Sequence, residues 1–522
     1  MDAANPYDNG LPFCGDPSLT FRGHGQWGKS AMTDEGAAAE EAFDVVVIGG
    51  GGAGLAAAIE ARVLGRRVVL VEKNRRLGGS SALSIGSISA SATPHQIRDG
   101  IQDSPAEHWA DMALFAEELA PRDNDALRRI LCEAMPDTFR WLLSLGVRFH
   151  GPMPEPPHRK PRMHTVLPNA GAYIHHLERR ALRIGVDIRA ATRARELIFE
   201  EGRVRGVRCE AAGVGRHFLA RGGVVLAAGD FTASAPLKAQ YMGDEAAAVE
   251  AVNPTATGDG QTLALALGAR IVNGDLALGP EIRFVAPARR TLATRLPPWR
   301  VLAAFMEWSM DNLPQGLLRP FVMSFLTTAL APSTTLFEHG AVLVNADGAR
   351  FCDENDRPAF AIPEQPGKHA YIVIDGALAE TFSAWPHFVS TAPGLAYAYI
   401  PDYRRNRRDV CHQASSLAAL AAKLGMEAGA LDELPLSRPP FMALGPVRSV
   451  FVHNEGGLAV DTDHQVLGPG DAPIGGLYAA GSTGQGGLLL KGHGHHLAWA
   501  FASGRRAGRH AAFETTSEDL TG

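Results

Sequence analysis

The sequence predicts an α/β protein whose first domain is built from both ends of the chain and is interrupted by an inserted α+β domain. An alternation of apolar strand segments, glycine-rich loops and helices begins at Phe43. A similar alternation returns after about residue 440. Between Gly274 and Pro440 the alternation of strands and helices is lost. A chain of 522 residues is also too long for one ordinary hydrophobic core, which favours more than one domain.

The charge balance restricts the partners. The chain has 50 Lys and Arg against 56 Asp and Glu, a formal net charge of -6, and no block of basic residues. This disfavours a nucleic-acid groove or an anionic membrane surface as the main partner. No apolar run approaches the ~20 residues that span a bilayer. We therefore expect no nucleic-acid partner and no membrane span.

The cysteines and the termini indicate a cytoplasmic protein. The five cysteines are isolated and have no metal-ligand spacing, which predicts reduced thiols and no metal centre or iron–sulfur cluster. They are Cys14, Cys132, Cys209, Cys352 and Cys411. Residues 1–42 lack an export signal and are predicted to be a disordered extension, with Met32 as an alternative start. Residues 514–522 are predicted to be a flexible tail.

The first ordered segment predicts one complete β-α-β unit. Asp44–Ile48 is a continuous apolar run, which is typical of a strand buried on both faces of a parallel sheet. Leu55–Ala61 consists of good helix formers, and Gly65 ends that helix. Arg67–Val71 predicts the second strand, which ends in the acidic Glu72.

Later segments continue the same domain on either side of the insertion. Residues 105–145 have helical spacing, Glu201–Val204 predicts a hairpin, and Gly223–Gly229 predicts another buried strand. Leu477–Gly481 predicts a short strand, and Leu497–Ala512 predicts a helix. We therefore assign 43–273 and 441–513 to the first domain and 274–440 to the insertion, which we call the cap.

The glycine-rich loop carries the strongest motif, Gly49-x-Gly51-x-x-Gly54. The first glycine allows a tight turn, the second lets backbone approach a pyrophosphate, and the third lets the helix pack on the strand. Glu72 stands where an acidic side chain accepts hydrogen bonds from ribose hydroxyls. The motif predicts a Rossmann-like dinucleotide-binding domain; the alternative is an ordinary glycine-rich turn.

The residues after Glu72 favour FAD over NAD. Gly78 and Gly79 form a second glycine pair, and Ser80 and Ser81 follow it. An extended FAD needs more bare backbone beside its pyrophosphate and ribityl chain than NAD does. We therefore predict an FAD-binding domain.

At these residues the sequence resembles the FAD-dependent fumarate reductase/succinate dehydrogenase flavoprotein superfamily, which includes the 3-ketosteroid dehydrogenases. The resemblance extends from Phe43 to about Ala512. It is carried by Ala82–Gly86, Gly100–Pro105, Ala256–Gly260, Gly340–Asn345 with Gly348–Phe351, and Gly475–Gly481.

The resemblance implies a noncovalent FAD. Members that attach FAD covalently carry a histidine near Ser80–Ser81, and Ser482 replaces the usual glutamate after the last strand. The last helix would direct its N-terminal turn at the pyrimidine edge of the flavin; the alternative is a helix that only packs the domain. The predicted FAD-binding residues are Gly49, Gly51, Gly54, Glu72, Lys73, Gly78, Gly79, Ser80, Ser81, Gly86, Ala194, Ala228, Gly229, Asp259, Gly481, Ser482, His495 and Leu497.

The resemblance also implies three catalytic residues. Arg357 follows an Arg-Phe-x-x-Glu turn, one position short of the arginine that delivers a proton in fumarate reductases. His453 fits a His-x-x-Gly-Gly segment, and Lys491 stands where the family has an arginine. Lysine offers a point charge instead of two parallel donors. A substrate with one carboxylate or one ketone oxygen therefore fits better than a dicarboxylate.

Each assignment has a plainer alternative. Arg357 would be a surface residue of the cap, His453 a hydrogen-bond partner of the flavin only, and Lys491 a loop lysine that reaches solvent. Tyr371, Tyr397, Tyr399 and Tyr403 are candidates for the enolate-stabilising tyrosines of ketosteroid dehydrogenases, with packing as the alternative. The arginines of 404–408 are interpreted as a solvated face of the cap.

Together these residues imply an FAD-dependent oxidoreductase that desaturates a C–C bond next to a ketone or carboxylate. Hydride would pass to flavin N5, and an external acceptor would take the electrons. The alternatives are an enoate or enone reductase, a subunit that passes electrons to a quinone-linked partner, and a non-catalytic FAD-binding module.

Overall fold

The computed structural model describes residues 39–286, 296–314, 331–392 and 396–514, together with positions 319, 323 and 327. The strands are β1 (Ala39–Ile48), β2 (Val68–Val71), β3 (Ser87–Ser89), β4 (Arg148–Met153), β5 (Met163–Leu167), β6 (Asp187–Arg189), β7 (Thr192–Glu200), β8 (Arg203–Ala211), β9 (Val214–Leu226), β10 (Glu250–Ala251), β11 (Ile271–Val272), β12 (Ala277–Leu278), β13 (Glu281–Phe284), β14 (Val342–Val344), β15 (Ala370–Ile374), β16 (Ser390–Ala392), β17 (Ala396–Ala398), β18 (Cys411–Ala414), β19 (Phe441–Phe451), β20 (His453–Asn454), β21 (Gly457–Leu458), β22 (Gln465–Leu467) and β23 (Pro473–Ala479). The α-helices are α1 (Gly52–Val63), α2 (Gly79–Leu83), α3 (Pro94–Arg98), α4 (Pro105–Met112), α5 (Asp125–Leu145), α6 (Gly171–Arg183), α7 (Ala235–Met242), α8 (Asp244–Ala248), α9 (Asp259–Leu265), α10 (Arg300–Asn312), α11 (Thr335–Glu338), α12 (Pro358–Ala361), α13 (Gly376–Thr381), α14 (Ile400–Asn406), α15 (Leu417–Leu424) and α16 (His495–Phe513).

The larger sheet is mixed, because it contains both parallel and antiparallel pairs of strands. Its strands lie in the order β22-β23-β8-β9-β1-β2-β6, and β7 pairs with β8. The strands β6, β2, β1, β9 and β23 pair in parallel, whereas β7, β8 and β22 add antiparallel pairs. Val45, Val46 and Val47 in β1 are fully buried. The continuous apolar run of the sequence therefore does mark a strand covered on both faces.

Helices α1 and α16 pack closely against each other on this sheet. A Cβ atom at Gly504 or Gly508 would collide with the backbone of Ala53 or Ala57 in α1. Only glycine permits this approach, so two small residues one turn apart dock the C-terminal helix on the first helix. The first helix and the C-terminal helix thus pack together on one sheet.

The second sheet contains strands from both sides of the predicted boundaries at 274 and 440. Its order is β10-β19-β15-β14, with β13 and β18 also paired with β19. The central strand β19 follows residue 440, and β10 precedes residue 274. The sequence places both in the first domain because each lies directly beside segments that have the strand–helix alternation of that domain.

The chain termini and other sequence features are only partly described. Strand β1 begins four residues before the predicted start at Phe43, and the rest of the predicted extension, residues 1–38 with Met32 and Cys14, lies outside the described residues. Of the predicted tail only Glu514 is described, and it accepts hydrogen bonds from the hydroxyl of Tyr478 and from the amide of Gly476. The four described cysteines are free thiols. Among the described helices, none combines the length and apolar character needed to cross a bilayer.

Candidate active site

A cleft lies at the carboxyl ends of the parallel strands β1, β2 and β9. It has an open volume of about 810 Å³, solvent at its mouth included. Ligands of doubly wound sheets bind at this edge. The sequence-predicted residues that line it are Gly49, Gly51, Glu72, Lys73, Gly79, Ser80, Ser81, Ala194, Ala228, Gly229, Asp259, Gly481 and Ser482.

The three glycines of the motif differ in their surroundings. Cβ atoms at Gly49 and Gly54 would collide with the carbonyl oxygens of Ala227 and Gly49, respectively. At Gly51 the nearest atom to such a Cβ lies 3.8 Å away, because this residue faces the cleft. Helix α1 starts here without a side-chain cap from Gly51. The amide of Gly52 donates to Ser81, and the next amides of the first turn make no hydrogen bond with a described side chain, so they can bind phosphate oxygens.

Glu72 connects the glycine turn to the next loop. Its Oε2 accepts the amide of Gly50 at 2.8 Å, and its Oε1 accepts the amide and side chain of Asn74 at 2.8 and 2.7 Å. A carboxylate has about four lone-pair sites, so it still has acceptor capacity toward the cleft. This is the arrangement that ribose hydroxyls require.

The second wall of the cleft is also bare backbone. Gly79 and Gly229 have φ values of +48° and +86°, and a Cβ on either would meet nothing within 4 Å. Ser81 accepts the amide of Gly52 at 3.1 Å, and Ser80 accepts the side-chain amide of Asn253 at 2.9 Å. These residues fit the long phosphate and ribityl part of an FAD.

Asp259 lies in a charged cluster at the rim of the cleft. It pairs with Lys73 at 3.2 Å and Arg193 at 3.1 Å, and it accepts the hydroxyl of Thr257 at 2.7 Å. Burial opposes its ionisation, but the Thr257 hydroxyl and the two cations hold its pKa below the usual range. Asp259 is therefore an anion that orients cations beside the cofactor site.

Five predicted FAD residues lie outside the wall of this cleft: Gly54, Gly78, Gly86, His495 and Leu497. Gly54 and Gly78 serve packing, since the amide of Gly78 bonds the carbonyl of Gly50 at 2.9 Å. The carbonyl of Gly86 accepts the hydroxyl of Tyr173 at 3.0 Å. His495 and Leu497 are buried in the first turn of α16. Their assignment to FAD stays a prediction.

The imidazole of His495 ends a buried hydrogen-bond chain. The guanidinium of Arg162 can only donate, so it donates to Nδ1 of His158 at 3.0 Å. His158 then carries its proton on Nε2 and donates it to Nε2 of His495 at 3.2 Å. His495 in turn donates from Nδ1 to the carbonyl of Lys491 at 2.6 Å. The chain sets both tautomers and fixes the backbone at Lys491.

This histidine cluster is electrically neutral. Burial, with His495 and Arg162 nearby, lowers the pKa of His158 to about 2. Burial also lowers the pKa of His495 and of His108, whose ring lies 5.3 Å from that of His158. The charge of Arg162 is balanced by Asp103 at 2.7 Å and Asp111 at 2.5 Å.

A second cluster forms around Glu455, next to the first. Oε1 of Glu455 lies 3.3 Å from Nε2 of His453 and 3.4 Å from Nε2 of His496. The two imidazole rings are 3.6 Å apart between centres. Oε2 of Glu455 accepts the side-chain amide of Gln485 and the backbone amide of Leu490, the latter at 3.1 Å. Burial disfavours ionisation, but the two histidines hold the pKa of Glu455 well below its usual range.

Two of the three predicted catalytic residues lie on segments that bind the carboxylate of Glu455. His453 contacts Glu455, and Lys491 follows Leu490, whose amide binds the same carboxylate. Lys491 is half-buried, and its ammonium has no hydrogen-bond or ion-pair partner within the described part of the chain. A cation held in this way is available to an anionic oxygen.

Arg357 lies elsewhere. Its side chain is 61% exposed, pairs with Glu245 at 3.1 Å and stacks on the ring of Phe360 at 4.1 Å. Among the described residues it contacts neither His453 nor Lys491. Its assigned catalytic role stays a prediction.

Sequence reasoning missed Glu455 and His496. Glu455 stands at a variable position of the His-x-x-Gly-Gly segment, and His496 appeared only as part of a helix start. A signal was available, because a carboxylate two residues from a histidine on a short strand pair can reach it. The pairing with His496 needed the fold.

Neither cluster is arranged for a metal ion, although each brings three ligand atoms within 4.8 Å. Two histidines on one tetrahedral zinc, with bonds of about 2.0–2.1 Å, hold their ring centres about 5 Å apart. His453 and His496 are too close for this at 3.6 Å. His108, His158 and His495 have suitable spacings of 5.2–5.7 Å, but both nitrogens of His158 are committed to Arg162 and His495. We assign no metal to either cluster.

Tyr403 and Arg407 serve packing in the segment predicted as the cap. Tyr403 is buried and its hydroxyl lies 2.8 Å from that of Ser390. Arg407 is buried as well and donates to the carbonyls of Thr327 and Val285. The interpretation of 404–408 as a solvated face is therefore wrong for Arg407, because this guanidinium satisfies carbonyls inside the cap.

A family model described as "FAD binding domain" matches residues 44–281 and 314–489, which is more than half of the chain. The chain belongs to the FAD binding domain family. The predicted flavoprotein family is therefore confirmed, and the family indicates FAD as the cofactor.

The similar proteins agree with this assignment. NADH:fumarate oxidoreductase of Klebsiella pneumoniae is 27% identical over 87% of this chain and 46% of its own length, so the chain spans about half of that relative. The open conformation of a flavocytochrome c3 fumarate reductase is 25% identical, with a TM-score of 0.67 over 91% of this chain and 79% of its own. A 3-ketosteroid delta1-dehydrogenase from Sterolibacterium denitrificans shares the fold, with 20% identity and a TM-score of 0.62 over 90% and 99%. The predicted class, an FAD-dependent oxidoreductase of CH–CH groups, is thereby confirmed.

Proposed function

We propose that this chain desaturates a C–C bond next to a ketone or carboxylate. The observation that supports the proposal is that His453 and the backbone of the Lys491 loop, at the amide of Leu490, both bind the buried carboxylate of Glu455. The Glu455 cluster lies at the first turn of α16, whose N-cap residue Gly494 provides no side-chain cap. Free amides at that turn, with the helix dipole, favour negative charge nearby.

FAD, when bound, accepts or supplies the hydride of this reaction. The residues of the cleft hold its phosphates through the start of α1 and its ribose through Glu72. We propose that it is bound noncovalently, since Ser80 and Ser81 stand where covalent members carry a histidine. Both hydroxyls accept hydrogen bonds from the protein, which fits a positioning role.

Lys491 would hold the activating oxygen of the substrate. An ammonium binds one developing oxyanion well, whereas the parallel donors of an arginine suit a carboxylate. His495 fixes the backbone of Lys491 at its carbonyl, so the side chain starts from a rigid position. This supports a ketone or monocarboxylate substrate more than a dicarboxylate.

Reduction of an activated double bond is the second candidate. It is favoured by the names of the two fumarate-acting relatives, which describe an oxidoreductase and a reductase. The same residues serve both directions, because the path is reversible. We also propose an external electron acceptor or donor and a cytoplasmic location, which the isolated thiols support.

An anaerobic absorption spectrum tests the proposal. The purified protein is expected to be yellow and to release its flavin on acid precipitation. Saturated cyclic ketones, steroids and small carboxylates are then added one at a time. Bleaching of the flavin band by one of them establishes a dehydrogenase; reoxidation of the chemically reduced protein by an enone or unsaturated acid establishes a reductase. A colourless protein that takes up no FAD contradicts both.

Gly51→Ala tests the cofactor site itself. The added methyl has room within the protein but points into the cleft. We expect FAD affinity to fall at least tenfold, measured by flavin fluorescence titration, while the unfolding free energy of the apoprotein changes by less than about 1 kcal/mol. Unchanged FAD affinity would contradict the placement of the phosphates at this turn.

A further inference from the structure

We propose that Glu455 and His496 make His453 the acid–base catalyst that moves the α-proton, a task that the family resemblance assigns to Arg357. This inference deepens the proposed function and rests on it. His453 is the catalytic residue, and Glu455 and His496 are positioning residues. The argument comes from their geometry and charge.

The carboxylate of Glu455 binds one ring nitrogen of His453 and leaves the other ring nitrogen free. Nε2 of His453 lies against Oε1 of Glu455, at 3.3 Å. Nδ1 makes no hydrogen bond with any described residue and is not sealed from solvent. A carboxylate on one ring nitrogen fixes the tautomer and stabilises the imidazolium, so the other nitrogen can give or take a proton.

Glu455 itself is firmly held. It is buried, and Oε2 receives two donors, the side-chain amide of Gln485 and the backbone amide of Leu490. These bonds favour the ionised form and stop the carboxylate from rotating. Glu455 therefore supplies a fixed negative charge directly behind His453.

His496 limits the pair to a single positive charge. Its ring centre lies 3.6 Å from that of His453, and two imidazolium rings at this distance repel each other strongly. Burial, and then His453, lowers the pKa of His496, while Glu455 opposes this. The geometry therefore favours at most one charged ring beside the single negative charge of Glu455.

The other described titratable groups around His453 and His496 do not supply the negative charge that Glu455 provides. Asp230, after β9, faces His453, but burial raises its pKa. His495, the preceding residue of α16, belongs to the neutral cluster. His493, on the loop before α16, is paired with Glu155.

Arg357 is poorly placed for the same task. Its guanidinium is exposed and paired with Glu245 at the surface. A guanidinium paired with a carboxylate at the surface is not directed at a reacting carbon. A histidine whose other ring nitrogen is held by a carboxylate has the arrangement of a general acid or base.

The step balances as follows. In desaturation, the α-carbon would give a proton to Nδ1 of His453 while the β-carbon gives a hydride to the cofactor. The two C–H bonds would be replaced by one C=C bond, and the imidazolium would later release its proton to water. The external acceptor would take the two electrons of the hydride, and the proton of the hydride would pass to water or to the acceptor. Reduction runs the same step backwards.

The test compares Glu455→Gln with Glu155→Gln in the full-length, FAD-loaded protein. Glu155 is also buried and also pairs with a histidine, His493, but it does not contact His453. We expect Glu455→Gln to lower the rate of flavin reduction or reoxidation by about 100-fold at equal FAD content. The limb of the pH–rate profile that reports the protonated pair should move to lower pH, and Glu455→Asp should restore part of the rate. Glu155→Gln should keep the wild-type profile.

The outcomes separate this inference from the proposed function. If no compound of the panel reacts with any form of the protein, both fall. If the wild type reacts and Glu455→Gln matches Glu155→Gln, only the present inference falls. A larger loss of rate in Arg357→Gln than in Glu455→Gln would indicate that Arg357 transfers the proton and would overturn this inference.

A measurement without substrate completes the test. The C2-proton exchange rate of each histidine, read by mass spectrometry across pH, reports the pKa of His496. Loss of the neighbouring anion in Glu455→Gln should lower that pKa further, whereas Glu155→Gln should leave it unchanged. An unmoved His496 would overturn the arrangement of at most one charged ring beside Glu455, whatever the activity.

Discussion

Two histidine clusters meet on consecutive residues of α16, and they differ in one component. His495 joins His158 and His108 in a neutral cluster, while His496 joins His453 around the carboxylate of Glu455. The neutral cluster has its tautomers set by Arg162 and keeps its rings fully or almost fully buried. The Glu455 cluster contains a fixed anion, and about a fifth of each imidazole is exposed. The difference teaches that a buried carboxylate, more than the number of histidines, decides whether such a cluster holds the fold or exchanges protons.

Both clusters hold the same piece of backbone. His495 bonds the carbonyl of Lys491, and Glu455 accepts the amide of Leu490. Structural and chemical roles therefore converge on one loop.

The largest expected effect is on turnover at the loop between the clusters. Lys491→Ala removes the cation but none of the described hydrogen bonds that fix the loop, since His495 binds the backbone carbonyl. We expect flavin turnover to fall about 100-fold with FAD still bound, because one oxyanion contact is lost. The rate per bound flavin with the substrate found in the panel is the measurement, and an unchanged rate would contradict the role of Lys491.

Substitution of the neighbouring residues His495 and His496 compares how much each cluster contributes to the unfolding free energy. His495→Leu leaves the Nε2–H of His158 and the carbonyl of Lys491 without partners, which should cost roughly 2–3 kcal/mol of unfolding free energy. His496→Leu should cost less than about 1 kcal/mol, because Nε2 of His496 has no well-aligned hydrogen bond. Urea unfolding of both variants at pH 7 gives the result. Equal losses would remove the distinction between a structural and a chemical cluster.

The neutral cluster should also make stability depend on pH. His158 titrates near 6.5 when unfolded and at about 2 when folded. Its contribution to stability is therefore complete above about pH 6.5 and is lost as the pH falls toward 2, by roughly 1 kcal/mol per pH unit. Urea unfolding at pH 7 and pH 5 should show this loss. A pH-independent unfolding free energy would mean that these rings can be protonated in place.

The smallest expected effect on stability is at Arg357. Its pair with Glu245 is exposed, and exposed pairs contribute at most about 1 kcal/mol. Arg357→Ala should therefore change the unfolding free energy by less than that amount, measured with urea at low and high salt. A loss of several kcal/mol would show a structural role that its exposed position does not indicate.

Most of the cofactor site could be predicted from the sequence because its signals are local. Gly49, Gly51 and Gly54 act through backbone geometry within one turn, and Glu72 stands at the end of the next strand. The parallel strands were likewise readable from continuous apolar runs. The cap boundaries were harder, because β19 pairs with strands far away in the chain and follows no local signal for its sheet.

The sequence by itself thus determined the α/β fold, the flavoprotein family and most of the residues that line the cleft, since spacing along one β-α-β unit decides them. Only the tertiary structure decided what surrounds His453 and His495. His158 and His495 are 337 positions apart, and Glu455 reaches Leu490 across 35. Hydrogen bonds and charges act over a few ångströms in space, so side chains that lie far apart in sequence acquire their chemistry only when the fold brings them together.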